Sequence, residues 1–392
     1  MKRIGLFPKV VIAIAAGIGL GMIAPDWLCR SFATFSSVFS SFLGFVIPLL
    51  IVGFVAPAIA DIGRRAGAML LATVLIAYAF TFGSGMLAYF TSATIFPALV
   101  EGSVAAGAAT DAAGASARPF FTIAVEPLMT VMSALVLAFV LGFSCAVLPD
   151  TTSTLKKLLA DFRNVIQLVI TKAIVPLLPV YILCIFLDMT AAGTVAPVLL
   201  TFIKIIAVIF ALHVGVLVLQ YCVAALFSGY NPLKSLWKMM PAYATALGTQ
   251  SSAATIPVTL ERTMATGVSA DTAGFVIPLC ATIHMSGSTL KIVSCAVALM
   301  IVQGMHFDAT MFVGFVAMLG ITIVAAPGVP GGAIMASLGL LSGMLGFSEA
   351  DNAMMIALYI AMDSFGTACN ITGDGAIAQI VDRIFARKTA AA

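Results

Sequence analysis

Four polar side chains recur in the most C-terminal apolar stretch, MDSFGTACNITGDGAIAQI: Asp363, Thr367, Asn370 and Asp374. A helix turns about 100° per residue, so offsets of four, seven and eleven return to within about 40° of the first direction. All four side chains then share one face. A carboxylate within a membrane costs several kcal/mol unless it is paired or faces water. Two carboxylates with an amide and a hydroxyl between them suit a cation and a charged or zwitterionic ligand. The chemistry is binding. As a catalytic pair, Asp363 and Asp374 would stand about 16 Å apart along the axis, too far to share a proton or a water. The chain also lacks a P-loop, a Gly-x-Ser-x-Gly elbow and metal-ligand spacing. Its seven cysteines show no CxxC pair and read as small buried hydrophobes.

The elements that must hold this stripe are membrane spans. Of 392 residues, 62% are hydrophobic and 9% charged, with a mean hydropathy of +1.16, a composition foreign to soluble globular chains. Apolar runs place spans near 5–24, 37–60, 68–96, 119–148, 164–188, 195–229, 271–303 and 350–381, with shorter broken segments near 233–262 and 309–347. Counting these with the N-terminus inside puts 14 of the 19 Lys and Arg in inner loops and tails, and only Arg30 and Arg118 outside. That bias sets both termini in the cytoplasm and attributes the net charge of +3 to topology rather than nucleic-acid binding. The first apolar run reads as a retained helix, since no convincing cleavage site follows it. Residues 97–118 read as a low-complexity outer loop.

Two segments cannot be unbroken helices. GTQSSAATIP (248–257) sets Ser251, Ser252 and Thr255 in apolar surroundings before Pro257, and APGVPGGAI (326–334) packs two prolines and three glycines into nine residues. Non-helical backbone at membrane depth survives only when buried in protein or lining a wet cavity, which re-entrant hairpins achieve. Each hairpin precedes a full span with polar interruptions, ATIHMSGST (281–289) and then the 363–374 stripe. Hairpin plus helix, twice, is the pattern of an inverted repeat with substrate and ions at its interface. Exposed tip amides suit a carboxylate, and freed carbonyls suit a cation.

At these residues the sequence resembles the dicarboxylate/amino acid:cation symporter family, the glutamate-transporter superfamily. SSAATIP is similar to the family's first-hairpin serine-rich motif and ATIHMSGS to its Asn-Met-Asp-Gly-Thr motif. GVPGGAI is similar to the second-hairpin tip, and NITGD (Asn370 to Asp374) to the final-helix motif. The match extends upstream through IVPLLPVYIL and GRRAG, so it covers nearly the whole chain. The resemblance implies an all-α polytopic fold of about eight transmembrane helices and two re-entrant hairpins. It further implies a homotrimer in the inner membrane, and an elevator motion of a transport domain against a scaffold. Residues 1–229 would be mainly scaffold (with spans 3 and 6 joining the transport domain), and 230–392 the transport core. By position, Asp363 would bind a substrate amino group, Asn370 would contact both substrate and a sodium site, and Asp374 would be a sodium-site carboxylate. Gly366 and Thr367 would line the pocket, and Ser251 and Ser252 with the Val329–Pro330–Gly331 tip would hold the substrate carboxylate. The segment Thr282, His284, Met285, Ser286 would take part in cation coupling. No cofactor is implied beyond the coupling ion, Na+ or H+.

Departures from the pattern shape the substrate reading. Acidic-amino-acid members carry an arginine where this chain has Gly366, so a neutral amino acid is favoured, as in the sodium/serine-threonine symporter branch, which the SSAA pattern also resembles. His284 and Ser286 replace the family's Asn and Asp, and Ala325 and Ala326 replace hydroxyls, which leaves Asn370 and Asp374 as one surviving sodium site. His284 either titrates near physiological pH or bonds a freed carbonyl. Lys291 either serves as a fixed cation, snorkels, or pairs with a carboxylate. If Lys291 or His284 replaces the arginine, the substrate is instead a dicarboxylate or another small anion. An ion channel or uncoupled facilitator is the alternative of another class, although nothing in the chain forms a ring-type filter. His213 reads as a packing residue, and Glu126 beside Pro127 as a bend or the wet end of the fourth span.

Overall fold

The computed structural model describes residues 6–64, 68–104, 117–147, 153–193, 195–324 and 331–389, and among them all regular structure is helical. In chain order the helices are α1 (Leu6–Gly21), α2 (Asp26–Arg64), α3 (Ala68–Val104), α4 (Val131–Val147), α5 (Ser153–Val169), α6 (Val175–Ala191) and α7 (Val195–Ser228). They continue as α8 (Pro232–Thr249), α9 (Ser252–Ala265), α10 (Ala270–Ile283), α11 (Ser286–Val302), α12 (Ala309–Val324), α13 (Gly332–Leu345), α14 (Glu349–Ala361) and α15 (Asp363–Thr389). A π turn, Ile170–Ile174, joins α5 to α6 without a break.

Five stretches among the described residues are long and apolar enough to cross a membrane: 26–57, 68–100, 154–191, 202–228 and 270–302. A sixth, α14 with α15, is bent by 63°. The expected spans at 5–24 and 119–148 are shorter apolar helices, 8–21 and 136–145. The second differs because residues 117–130 are not helical. Pro119 and Pro127 interrupt a run of aromatic and β-branched residues, which favours extended backbone. Side chains of other elements tie that strip down: Phe120 N donates to Thr34 Oγ1 at 2.8 Å, Ala117 N donates to Asp188 Oδ1 at 2.9 Å, and the Arg30 guanidinium sits 4.4 Å from the Phe120 ring centre. The span expected at 350–381 breaks at Met362, between α14 and α15.

Both broken segments form helical pairs. In the first, Asn231 caps α8 by accepting from Lys234 N at 2.9 Å, Gln250 reverses the chain in a left-handed conformation (φ 52°), and Ser251 caps α9. In the second, α12 packs on α13 and Gly331 opens α13 at φ 78°. Only glycine holds that conformation without strain. The tip between them, with Ala325, Ala326, Val329 and Pro330, lies outside the described residues.

Each pair is followed by a span broken mid-course, α10–α11 at His284–Met285 and α14–α15 at Met362. The hairpin-plus-span pattern read from the sequence is therefore present twice. Packing sorts the helices into two groups. α1 lies on α6, and α2 on α4, α5 and α6, while α15 is surrounded by α7, α8, α9, α10 and α11. α3 joins the second group, lying along α11 and α12. Ser92 Oγ donates to Ser294 Oγ at 3.1 Å, and Tyr78 Oη to the Ala317 carbonyl at 3.0 Å. Lipid supplies no hydrophobic drive between helices, so such close packing and buried hydrogen bonds carry the association. Every residue of α11 from Ser286 to Met300 is buried, including Ser288, Thr289, Lys291 and Ser294. A polar set in the most enclosed helix marks the site.

Candidate binding and coupling site

Lys291 of α11 reaches the break at Met362, and Asn370 of α15 reaches the break at His284–Met285. Asn370 Oδ1 accepts from Gly287 N at 2.7 Å and from Ser288 N at 3.3 Å, the amides that α11 frees at its first turn. Its Nδ2 donates to Ser288 Oγ at 3.1 Å and to Met285 Sδ at 3.4 Å. A side chain on α15 thus caps α11, which makes the polar stripe a structural clamp as well as a candidate ligand set. Met285 N in turn donates to Thr81 Oγ1 of α3 at 3.2 Å.

One turn further along α15, Asp374 meets His284. His284 Nδ1 stands 2.9 Å from Asp374 Oδ1 and 3.1 Å from the Asn370 carbonyl, and Nε2 stands 2.5 Å from Ser286 Oγ. Gln220 of α7 donates from Nε2 to Ser286 Oγ at 2.8 Å. One proton arrangement satisfies this chain of groups: Gln220 to Ser286, the Ser286 hydroxyl to His284 Nε2, and His284 Nδ1–H to Asp374. The ring thus reaches a carboxylate and the carbonyl of Asn370, which belongs to the continuous helix α15 and not to the backbone freed at the break. Asp374 Oδ2, Gln220 Oε1 and Thr372 Oγ1 are buried without a hydrogen-bond partner. Orphaned buried oxygens are costly, and a cation is the kind of group that would satisfy those of Asp374 and Gln220, which flank the His284–Ser286 pair.

The other end of the stripe is also paired. Asp363 Oδ1 lies 3.3 Å from Lys291 Nζ, and Asp363 Oδ2 accepts from Gly331 N at 2.8 Å. Lys291 is fully buried; it donates to the Met362 carbonyl at 3.3 Å and sits 3.7 Å from the Tyr359 ring centre. Its ammonium is enclosed by protein and does not snorkel to solvent. A Cβ on Gly366 would meet Lys291 Cε and Nζ at 2.5 Å, so the ammonium fills the space beside that glycine. Tyr359 Oη donates to Ser288 Oγ at 3.0 Å and links the two halves of the site.

The structure thus brings together Asp363, Gly366, Asn370, Asp374, His284, Met285, Ser286 and Gly331. Thr367 is buried one turn beyond Asp363. Ser251 and Ser252 stand at the half-buried first-hairpin tip, where the bonds of Ser251 are local, to Thr249, Ala254 and Thr255. Thr282 stands apart: its side chain is exposed and its hydroxyl donates to the Leu279 carbonyl at 2.8 Å, because the helix carries residue 282 to the face opposite His284. Val329 and Pro330 lie outside the described residues. Sequence reasoning missed Gln220, Thr81 and Tyr359, each a lone polar group in an apolar run. It also took His213 for packing alone, whereas His213 Nε2 lies 3.2 Å from the Gly287 carbonyl at the break.

The chain is 27% identical to the serine/threonine transporter SstT of Acinetobacter baumannii (strain ATCC 17978) over 400 aligned positions that cover 97% of each chain. It is 31% identical to the neutral amino acid transporter B(0) of Rattus norvegicus over 180 positions, covering 44% of this chain and 32% of that one. The family model for the sodium:dicarboxylate symporter family matches residues 6–384. The chain is a multi-pass membrane protein that belongs to the sodium:dicarboxylate symporter family.

Proposed function

We propose that the chain is a cation-coupled symporter for a small amino acid with an uncharged side chain, moved across the inner membrane with both termini cytoplasmic. The observation that carries this reading is the placement of Asp363. Its carboxylate lies where α15 begins, within hydrogen-bond reach of the amide of Gly331, the cap of α13, and about two to three helical turns from the Asn370–His284–Asp374 cluster. A substrate amino group at Asp363 and a cation at Asp374 would thus share one helix, and the Asn370 clamp ties both to the α10–α11 break. The names of the relatives support the amino-acid class, and the orphaned oxygens of Asp374 and Gln220, which flank the His284–Ser286 pair, support a coupling ion at the far end. The substrate-binding set is Ser251, Ser252, Val329, Pro330, Gly331, Asp363, Gly366, Thr367 and Asn370. The coupling ion is Na+ or H+. An elevator movement of α8–α15 with α3 and α7 against α1, α2 and α4–α6, within a homotrimer, accords with the two packing groups.

A second reading has its own observation. Lys291 Nζ occupies the space beside Gly366, where a positive charge would greet a small carboxylate or dicarboxylate. Competition against labelled L-serine separates the two: excess L-alanine and L-threonine should block its uptake into proteoliposomes while succinate should not. Block by succinate alone would transfer the assignment to small anions.

A further inference from the structure

The Lys291 ammonium is held by protein groups on every side described. Nζ donates to Asp363 Oδ1 and to the Met362 carbonyl, both at 3.3 Å, and faces the Tyr359 ring at 3.7 Å. Gly366 admits it, since any side chain at that position would displace Cε and Nζ. The remaining oxygen of Asp363 is engaged by Gly331 N at 2.8 Å. Both oxygens of the carboxylate assigned to the substrate amino group are therefore used by the protein itself.

Charge accounting gives this arrangement a purpose. A buried carboxylate with no partner is costly to hold in, or to move through, a low-dielectric region. An amino-bearing substrate would neutralise Asp363 on the way across. After its release the carboxylate needs another cation before the transport unit can return. Resting on the symport reading above, we propose that Lys291 is a tethered counter-cation that exchanges with the substrate amino group on Asp363. Its ammonium neutralises the carboxylate after the cargo has left, and the unit returns with neither substrate nor a counter-transported ion. The flexible four-carbon stem of lysine allows such a movement. Tyr359, bonded to Ser288, stays as a fixed aromatic face along which the ammonium can shift. The consequence is net uptake rather than obligatory exchange.

The experiment compares two modes in proteoliposomes holding the full chain: net uptake of labelled L-serine into vesicles without internal amino acid, and exchange into vesicles preloaded with L-serine. Wild type is expected to show both, and to keep net uptake when N-methylglucamine is the only internal cation. Lys291→Ala is expected to keep exchange within about twofold while net uptake falls by at least about tenfold. Methylammonium loaded inside the vesicles, a free equivalent of the missing group, is expected to restore net uptake. Parallel loss of both modes in Lys291→Ala overturns the proposal, and so does net uptake unchanged by the substitution. Should Lys291→Ala fail to fold, wild type decides: exchange without net uptake in the N-methylglucamine vesicles overturns the inference alone. Wild-type silence in both modes overturns the symport reading and the inference with it.

Discussion

Replacing Asp363 by asparagine keeps the shape of the side chain and removes its charge. The amide oxygen can still accept from Gly331 N, but the amide then turns a donor toward Lys291 Nζ, which lies 3.3 Å from the present carboxylate. Flipping the amide restores an acceptor for Lys291 and loses Gly331. Removing one partner of a buried ion pair costs about 3–5 kcal/mol. The Met362 carbonyl and the Tyr359 ring continue to hold the ammonium and return about 1–2 kcal/mol. The net expectation for Asp363→Asn is about 1–4 kcal/mol of lost stability. Combining it with Lys291→Met removes the stranded charge and fills a similar volume, which should bring the protein back to within about 1 kcal/mol of wild type. Thermal unfolding of the four proteins of this cycle in detergent, with tracer uptake measured on each, separates folding from function. The double variant should be as stable as wild type and yet inactive toward amino-bearing substrates. A single Asp363→Asn as stable as wild type, or a double variant no better than the single, would refute the argument that this pair is energetically coupled.

Asp374→Asn should shift the cation dependence of uptake, since it alters both the carboxylate facing His284 and the orphaned Oδ2; sodium and pH profiles identical to wild type would leave that residue only a structural part. Gly373→Ala would place a Cβ 2.4 Å from Gln220 Oε1 and 2.6 Å from His284 Cε1. Overpacking of that kind costs about 1–3 kcal/mol, and a lowered melting temperature with weakened cation dependence should report it. On sequence alone, Gly366→Arg is expected to introduce acidic-substrate binding. The structure revises this, because the new side chain collides with Lys291. The single variant should lose L-serine uptake, whereas Gly366→Arg with Lys291→Ala should gain L-aspartate binding, measurable by calorimetry.

What the sequence disclosed was whatever depended on helical periodicity and on backbone breakers. The spacing of Asp363, Asn370 and Asp374 on one face, the reversal at Gln250–Ser251 and the close of the second hairpin at Gly331 all follow from local rules that a chain displays openly. The site's partners from other helices were hidden. Gln220 lies 66 residues from Ser286 and Thr81 204 residues from Met285, and nothing local distinguishes them from other polar groups in apolar runs. The bend at Met362 was hidden for a related reason. No proline or glycine announces it; the Met362 carbonyl accepts from Gly366 N and also from Lys291 across the site. The strip before α4 shows the opposite failure. Its apolar residues suggest a span, but prolines at 119 and 127 and anchors from Thr34 and Asp188 hold it out of the helix. The choice between snorkelling and pairing for Lys291 was likewise a matter of tertiary surroundings.

The most direct test of coupled transport uses purified protein in liposomes and labelled L-serine, with an inward sodium gradient in one arm and an inward proton gradient in the other. Accumulation above equilibrium in at least one arm, lost in Asp363→Asn with Lys291→Met, is the predicted result. Sodium-driven uptake would assign coupling to the Asn370–Asp374 end despite Ser286, and proton-driven uptake would assign it to His284 with Asp374. Equilibration without accumulation in both arms would contradict the account and leave an uncoupled facilitator in its place.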